Sequence, residues 1–137
     1  MLVPVLVIIF FVIAGIDMLL GIKKYNLAKS WKGYKVISYT LEKKKLQLVV
    51  ADTKEKSEKG LMYREHLDGV DGMIFYFKEK DYMTFWNENT YMDLDVYWLD
   101  GKKVMGKTYL PSIKKTGVIK TISSEAPVNV VIELPHE

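Results

Sequence analysis

Cysteine is absent from the 137 residues of this sequence. Disulfide bonds, zinc–thiolate sites, iron–sulfur clusters and thiol nucleophiles are therefore excluded. Histidine is scarce as well, because His66 and His136 are the only two and lie far apart in the sequence. There is no Gly-x-Ser-x-Gly motif and no glycine-rich phosphate loop after a strand. We therefore predict no metal site and no cofactor, and we favour a function that is not enzymatic.

A basic stripe is also lacking. The formal net charge is only +3, and the lysines alternate with acids, as they do in residues 54–59. Surfaces that bind nucleic acid usually concentrate lysine and arginine with few acids between them. We therefore expect no nucleic-acid partner.

The first 22 residues, by contrast, carry a single charge, Asp17. The apolar run from Leu2 to Ile22 would span about 32 Å as a helix, close to the ~30 Å hydrocarbon core of a bilayer. A cleaved signal peptide would begin with a positive segment and end at a small-x-small cleavage site. Both features are missing, so we predict an uncleaved transmembrane anchor over residues 1–24.

Charged residues in and after the anchor bear on its partners and its orientation. A carboxylate such as Asp17 costs roughly 2.5–3.5 kcal/mol at the centre of a bilayer. Asp17 either reaches the headgroups and a flanking lysine or contacts a helix of another membrane protein. The positive-inside rule would place the following domain in the cytoplasm. This inference depends on five lysines after the apolar run, which are Lys23, Lys24, Lys29, Lys32 and Lys35.

After a linker at residues 25–34, residues 35–137 predict one mainly β domain, a small barrel-like or sandwich fold with one short helix. The run 42–45 and the pair Asp100-Gly101 predict hairpin turns. The predicted strands share short length and frequent β-branched or aromatic residues; they are Lys35–Leu41, Leu46–Ala51, Gly72–Phe77, Met83–Trp86, Leu94–Leu99, Lys103–Leu110, Gly117–Ile122 and Val128–Leu134.

The single helix is predicted from its end signals. Asp52 stands three residues before Glu55, which is the spacing of a capping box. Gly60 then follows Lys59 as a helix-terminating glycine. The helix should therefore occupy the residues between Asp52 and Gly60.

Four residues form a tentative ligand site: Arg64, Trp86, Asn89 and Asp95. Arg64 would either clamp an anion or pair with a structural acid such as Asp95, and we favour the pair. Trp86 would pack in the core or stack on a ligand, as would Trp98. Asn89 suits a turn in which side chains bond to the backbone.

Asp93 and Asp95 alternate with leucine, so on a strand both carboxylates would point to one face. Two carboxylates on one face can bind a hard cation or form an acid–base pair. They are equally typical of the exposed side of an amphipathic strand, and we favour that interpretation.

The sequence resembles the domain-of-unknown-function family number 192 over about residues 46–135. The resemblance depends on six segments in order: Val50-Ala51-Asp52-Thr53, GLMYRE (60–65), DGMIFYF (71–77), FWNENT (85–90), LDVYWLD (94–100) and VIELP (131–135). It implies a compact, barrel-like β domain, commonly behind a signal or anchor in bacteria and archaea. That position would favour the extracytoplasmic side. No activity is implied.

Three departures from the family's usual pattern are visible. Asn87 and Glu88 stand where members usually have Met-Lys, and Asp93 stands where they have proline. The cysteine-containing segment of many members is replaced around residues 111–115. Any surface that the family uses in common is therefore altered in this chain.

Two functional hypotheses follow. The first is a membrane-anchored, non-enzymatic accessory or assembly subunit, with the lipid bilayer and other integral membrane subunits as partners. The alternative is a cell-surface ligand-binding or hydrolytic domain that uses Arg64, Trp86 and Asp95. We favour the first, because the sequence lacks a catalytic constellation.

Overall fold

The computed structural model describes residues 5–137, with side chains from residue 12 onward. In this part of the chain a long helix precedes a β-rich domain. The elements are α1 (Val5–Ser30), β1 (Val36–Leu41), β2 (Lys44–Ala51), α2 (Lys54–Lys59), β3 (Gly72–Asp81), β4 (Thr84–Trp86), β5 (Leu94–Asp100), β6 (Lys103–Leu110), α3 (Ile113–Thr116), β7 (Thr121–Ser123) and β8 (Val128–Pro135).

The domain is built on one six-stranded sheet with the order β1-β2-β3-β8-β5-β6, and β4 pairs separately with β7. Pairing is antiparallel except between β2 and β3, which run parallel. The predicted mainly β class is confirmed. Of the two predicted forms, barrel-like or sandwich, the barrel is wrong, because within residues 5–137 the mixed sheet is open at β1 and β6 rather than closed. Local sequence patterns give the strands but not their partners, and a parallel pair needs a long crossover connection.

The predicted strands and hairpins correspond closely to the observed ones. Each predicted strand overlaps an observed strand, and Lys103–Leu110 agrees at both ends. The β1–β2 turn places Glu42 and Lys43 at positive φ, +47° and +70°. Positive φ at both central residues is typical of a type I′ turn, whose twist matches that of the strands.

Helix α2 forms where it was predicted, but its N-cap differs. Thr53, not Asp52, is the N-cap, and its side chain accepts a hydrogen bond from the Lys56 amide at 3.2 Å. Asp52 instead accepts a bond from the Lys56 ammonium at 2.6 Å. Gly60 ends the helix as predicted. Threonine and aspartate are both good N-caps, so their order along the chain could not decide between them.

Apolar side chains cover both faces of the sheet. Because neighbouring residues of a strand point to opposite faces, Phe75 and Val131 belong to one cluster while Ile74 and Ile132 belong to the other. All four are at most 1% exposed. The first cluster also contains Trp31, from just beyond α1.

The end of α1 is fixed to the domain by Arg64. Its guanidinium carbon lies 3.4 Å from the centre of the Trp31 ring, and its two terminal nitrogens donate hydrogen bonds to the Ser30 hydroxyl and carbonyl oxygens, each at 3.0 Å. Ser30 in turn donates to Asp68 at 2.8 Å, and the Trp31 indole N–H donates to the Leu67 carbonyl at 2.7 Å. A cation at the last carbonyls of a helix is also favoured by the helix dipole.

The structural role predicted for Arg64 therefore has a different partner. The predicted Arg64–Asp95 pair is wrong, since Asp95 lies within hydrogen-bonding distance of Lys107 and His136 instead. No local pattern indicated that Ser30, 34 positions earlier, would supply the acceptors.

In the stretch from residue 5 to residue 137, no helix is both long enough and apolar enough to cross a bilayer. The predicted anchor covers residues 1–24. Residues 1–4 of it lie outside the described residues, as do the side chains of residues 5–11.

Replacing Arg64 by alanine should destabilise the junction between α1 and the domain. The variant loses two charge-assisted hydrogen bonds and a cation–π contact, so we expect the free energy of unfolding to fall by about 2 kcal/mol. Chemical denaturation measures this change. Lys32→Ala, which removes an exposed positive charge beside Trp31, is the matched control and should change it by less than about 0.5 kcal/mol. Equal effects of the two changes would contradict the assigned contacts.

Candidate functional site

An apolar groove of about 470 Å³ lies between the end of α2 and strands β3 and β4. This volume is within the range of small-molecule sites. Gly60 and Leu61 form one side of the groove, and Glu133 is among the residues that line it. The other apolar lining residues are aromatic or contain sulfur: Met62, Phe75, Phe77, Met83, Phe85 and Trp86.

Glu133 is the unusual residue of this groove. Strand β8 places it opposite Met73 of β3 and Val96 of β5, and it is only 5% exposed. Its Oε2 atom is buried and has no hydrogen-bond partner among the described residues. Burial raises the pKa of Glu133 to about 8, because an apolar environment disfavours the charged carboxylate.

The aromatic side chains of the groove meet edge to face. The Phe85 ring centre lies 5.1 Å from that of Phe75 and 6.5 Å from that of Phe77, with ring planes almost perpendicular. Trp86 is half-exposed. Rings held in this way present both faces and edges, so the groove can accept apolar groups and cations.

Of the predicted ligand residues, Trp86 alone lines the groove. The Trp86 side chain is half-exposed, whereas Trp98 is buried in the core, where its indole N–H donates a hydrogen bond to the Thr108 hydroxyl at 2.8 Å. Asn89 lies at positive φ, +51°, and donates to the Tyr63 hydroxyl at 2.9 Å. The structure therefore does not bring Arg64, Trp86 and Asp95 together. A ligand role for each stays a prediction.

Asp95 lies in a second, more polar cleft of about 680 Å³, which also contains both histidines. Its carboxylate contacts the Lys107 ammonium at 3.1 Å and the His136 Nδ1 atom at 2.9 Å. The His136 ring also packs against Tyr109, with 4.6 Å between ring centres. Both carboxylate oxygens of Asp95 therefore already have partners within the domain.

Asp93 has separate partners from Asp95. It accepts a hydrogen bond from the Ser112 amide at 2.7 Å and contacts the Lys115 ammonium at 3.3 Å. The Ser112 bond is the main cause that lowers the pKa of Asp93 to about 2. Among the residues that the structure describes, no group of three potential metal ligands occurs. Each aspartate thus has a structural partner of its own.

Asn87, which replaces the family's usual methionine, is fully buried. Its amide donates to the Pro111 carbonyl at 2.8 Å and to the Thr116 hydroxyl at 3.0 Å, and its oxygen accepts from the Lys120 amide at 2.7 Å. Two of the sequence departures, at Asn87 and at 111–115, therefore contact each other. The Asn87 hydrogen bonds hold the connection between β6 and β7, which contains α3.

The sequence analysis did not predict a functional role for Glu133, although the pattern of its strand indicated one. It is the single charged residue in the run from Val128 to Leu134. The alternation of that strand places Glu133 on the same face as Val131, which is fully buried. An acid at a position that faces the core is a stronger indication of a site than the partly exposed aspartates Asp93 and Asp95.

The Glu133→Gln variant should alter how stability depends on pH. The ordinary pKa of the glutamate carboxyl is 4.5 and the folded protein raises it to about 8, so the wild type should lose stability as pH rises from about 4.5 to about 8. The full loss would be on the order of 5 kcal/mol. Glutamine keeps the shape without the charge, so the variant should match the wild type near pH 4 and be the more stable above pH 8.

Urea denaturation from pH 4 to pH 9 measures this difference. The difference in stability between Glu58→Gln, a change at the exposed rim of the groove, and the wild type should stay constant across the same range, because that variant keeps Glu133. A difference between wild type and Glu133→Gln that does not change with pH would show that the carboxyl is not held neutral by burial.

Comparison with known proteins identifies a family to which most of the chain is similar. A family model, DUF192, described as "Uncharacterized ACR, COG1430", matches residues 37–137. No curated protein matches the chain. A solved structure of a protein of unknown function from Novosphingobium aromaticivorans DSM 12444 is 25% identical, with a TM-score of 0.61 over 74% of this chain and 73% of that one.

A second solved structure is that of a "putative transcription regulator" from Sinorhizobium meliloti 1021. It is 28% identical, with a TM-score of 0.57 over 74% of this chain and 79% of that one. Both likenesses cover most of the chain. Since the family model spans the whole β sheet, from β1 to β8, the chain belongs to the uncharacterised family DUF192.

Proposed function

We propose that the protein is a membrane-anchored, non-enzymatic accessory or assembly subunit that holds its β domain beside other integral membrane subunits. The observation that carries this proposal is the surface of α1. Large apolar side chains between 49% and 65% exposed follow one another along it: Val12, Ile13, Ile16, Met18, Leu19, Leu20 and Ile22. Exposure of so much apolar surface to water is unfavourable, so a bilayer or another apolar surface must cover it.

The sequence supplies the length that a span requires. The apolar run begins at Leu2 and ends at Ile22, and about 20 such residues cross a hydrocarbon core. The exposed side chains from Val12 to Ile22 form the second half of that run.

The junction between α1 and the domain supports a role close to the bilayer. The helix continues without a break to Ser30, and the next residue, Trp31, is part of the domain core. Arg64 fixes this junction by its contacts with both residues. The domain is thus attached directly to its helix rather than by a flexible linker. A short, rigid attachment suits a subunit that works against a membrane partner.

Asp17 supports a contact with another helix. Ala14, Asp17 and Gly21 are spaced by three and four residues, so they share one side of α1. Small residues let membrane helices approach closely, and a polar group then bonds across the interface. Intramembrane acids commonly mark such contacts.

The alternative, a ligand-binding or hydrolytic domain based on Arg64, Trp86 and Asp95, has less support. These three side chains lie at the α1 junction, in the apolar groove and in the polar cleft, respectively. A catalytic set has to meet at one reacting atom.

Membrane attachment can be tested with charges placed in the anchor. The double variant Ile13→Arg and Ile16→Arg should release the full chain from membranes on alkaline extraction, because each arginine costs roughly 2.5–3.5 kcal/mol at the centre of a span. Val118→Arg with Ile119→Arg is the matched control, since both residues are exposed and apolar but lie in the domain. The control and the wild type should stay in the membrane pellet. Release of the wild type would refute the anchor.

The partner contact can be tested at Asp17. In a mild detergent the full chain should elute as part of a complex larger than its monomer, and Asp17→Leu should shift it to the monomer position while it still fractionates with membranes. Leu19→Met, on the opposite side of the same helix, should leave the complex intact. A wild-type chain that elutes as a monomer would count against an accessory or assembly role.

A further inference from the structure

We propose that the apolar groove binds a small organic amine, with its ammonium group at the Glu133 carboxylate and its apolar part against Phe85 and Trp86. The inference goes beyond the proposed membrane role. It depends on the residues of the groove alone.

The first argument is the position of Glu133. It lies on a central strand, on a face that is otherwise apolar, with Met73 and Val96 as cross-strand neighbours. The sheet does not need an acid there, because Val131 fills the preceding position on the same face with an apolar side chain. Buried polar atoms in native proteins nearly always have a partner. The unpaired Oε2 atom therefore indicates a partner that comes from outside the chain.

The second argument is that the groove leads to this carboxyl. Gly60, at the end of α2, has φ +50° and no side chain. A Cβ atom there would lie 3.7 Å from Oε2 of Glu133 and 3.6 Å from Cζ of Phe75, in van der Waals contact with both. A larger residue at this position would cover the carboxyl, whereas glycine leaves the space above it to the groove.

The third argument is the chemistry of the walls. Aromatic faces attract cations through their ring quadrupoles, and a carboxylate accepts charge-assisted hydrogen bonds from an ammonium group. The groove provides both, and Met62 and Met83 add flexible apolar surface for a ligand stem. An anionic ligand would meet a carboxyl at the floor, and a purely apolar ligand would leave Oε2 unpaired. An amine with an apolar stem satisfies both parts of the groove.

The charged groups around Glu133 do not replace such a ligand. The titratable residues that line the groove are Lys54, Glu58 and Lys59, all from α2, while β3 and β4 contribute none. Lys54 contacts Glu58 at 3.7 Å, with both side chains largely exposed. These groups form the rim, so among the described residues only Glu133 supplies a charge inside the groove.

Binding should be linked to a proton. Burial keeps the empty site largely protonated below pH 8, and an ammonium group pairs with the ionised carboxylate. Each bound amine therefore releases one proton below pH 8. The apparent affinity should rise about tenfold per pH unit up to pH 8 and then level off.

Calorimetry with the full chain in lipid nanodiscs tests the proposal, with empty nanodiscs as the blank. The probes are phenethylamine, the neutral 2-phenylethanol and the anionic 3-phenylpropionate. At pH 8.5 phenethylamine should bind at least about tenfold more tightly than the other two, the factor expected from one charge-assisted hydrogen bond. Equal binding of the amine and the alcohol would overturn the proposal.

Variants separate the carboxyl from the rest of the groove. Glu133→Gln should lower the affinity for phenethylamine at least about tenfold and leave that for 2-phenylethanol unchanged. Glu55→Gln, at an exposed position of α2 that does not line the groove, should change neither. Circular dichroism confirms that each variant is folded before the titration. Amine binding that survives Glu133→Gln, or that does not change between pH 6 and pH 8, would contradict the site.

Discussion

The structure depends on the insertion of the last strand, β8, between β3 and β5. Its pairing with both neighbours joins the β1–β3 part of the sheet to the β5–β6 hairpin. Backbone hydrogen bonds on both edges leave β8 without a free edge, and its side chains are buried on both faces. The same register places Glu133 on the face that carries the first core cluster. The candidate ligand site is therefore a direct consequence of the pairing that completes the sheet.

The polar groups of the domain fall into two kinds, and their hydrogen bonds distinguish them. Asp93, Asp95, Asn87 and Arg64 all have partners within the chain, so their roles in packing are accounted for. Glu133 has none. A satisfied polar group rigidifies the fold, whereas an unsatisfied one raises the free energy of the folded state until something binds it. The unpaired carboxyl is for this reason a better guide to function than the more numerous exposed charges.

The contact of Arg64 with the end of α1 lies close in sequence to the apolar groove. Arg64 follows the GLM segment that begins at Gly60, and Gly60, Leu61 and Met62 line the groove. One short stretch of chain therefore contacts both the end of α1 and the candidate binding site. In the proposed membrane setting, the groove would lie a few residues along the chain from the point where the domain is attached to its helix.

Local patterns in the sequence determined much of the secondary structure. Alternating apolar residues predicted the strands, the pair Asp100-Gly101 predicted a hairpin, and Gly60 predicted the end of α2. Each of these features depends on backbone conformations that neighbouring residues impose. The six ordered sequence segments indicated the family. The α3 turn was missed because four residues carry too little periodicity to register.

Tertiary structure alone decided which distant residues meet. The parallel β2–β3 pair, the open sheet, the contact of Arg64 with Ser30 and the separation of Arg64 from Asp95 all join positions far apart in the chain. The sequence by itself determined an apolar N-terminal run with one acid and a mainly β domain of a known family. Only the fold could show that Oε2 of Glu133 is buried without a hydrogen-bond partner in the described part of the chain, since burial and hydrogen bonding depend on strands that come together from distant parts of the sequence.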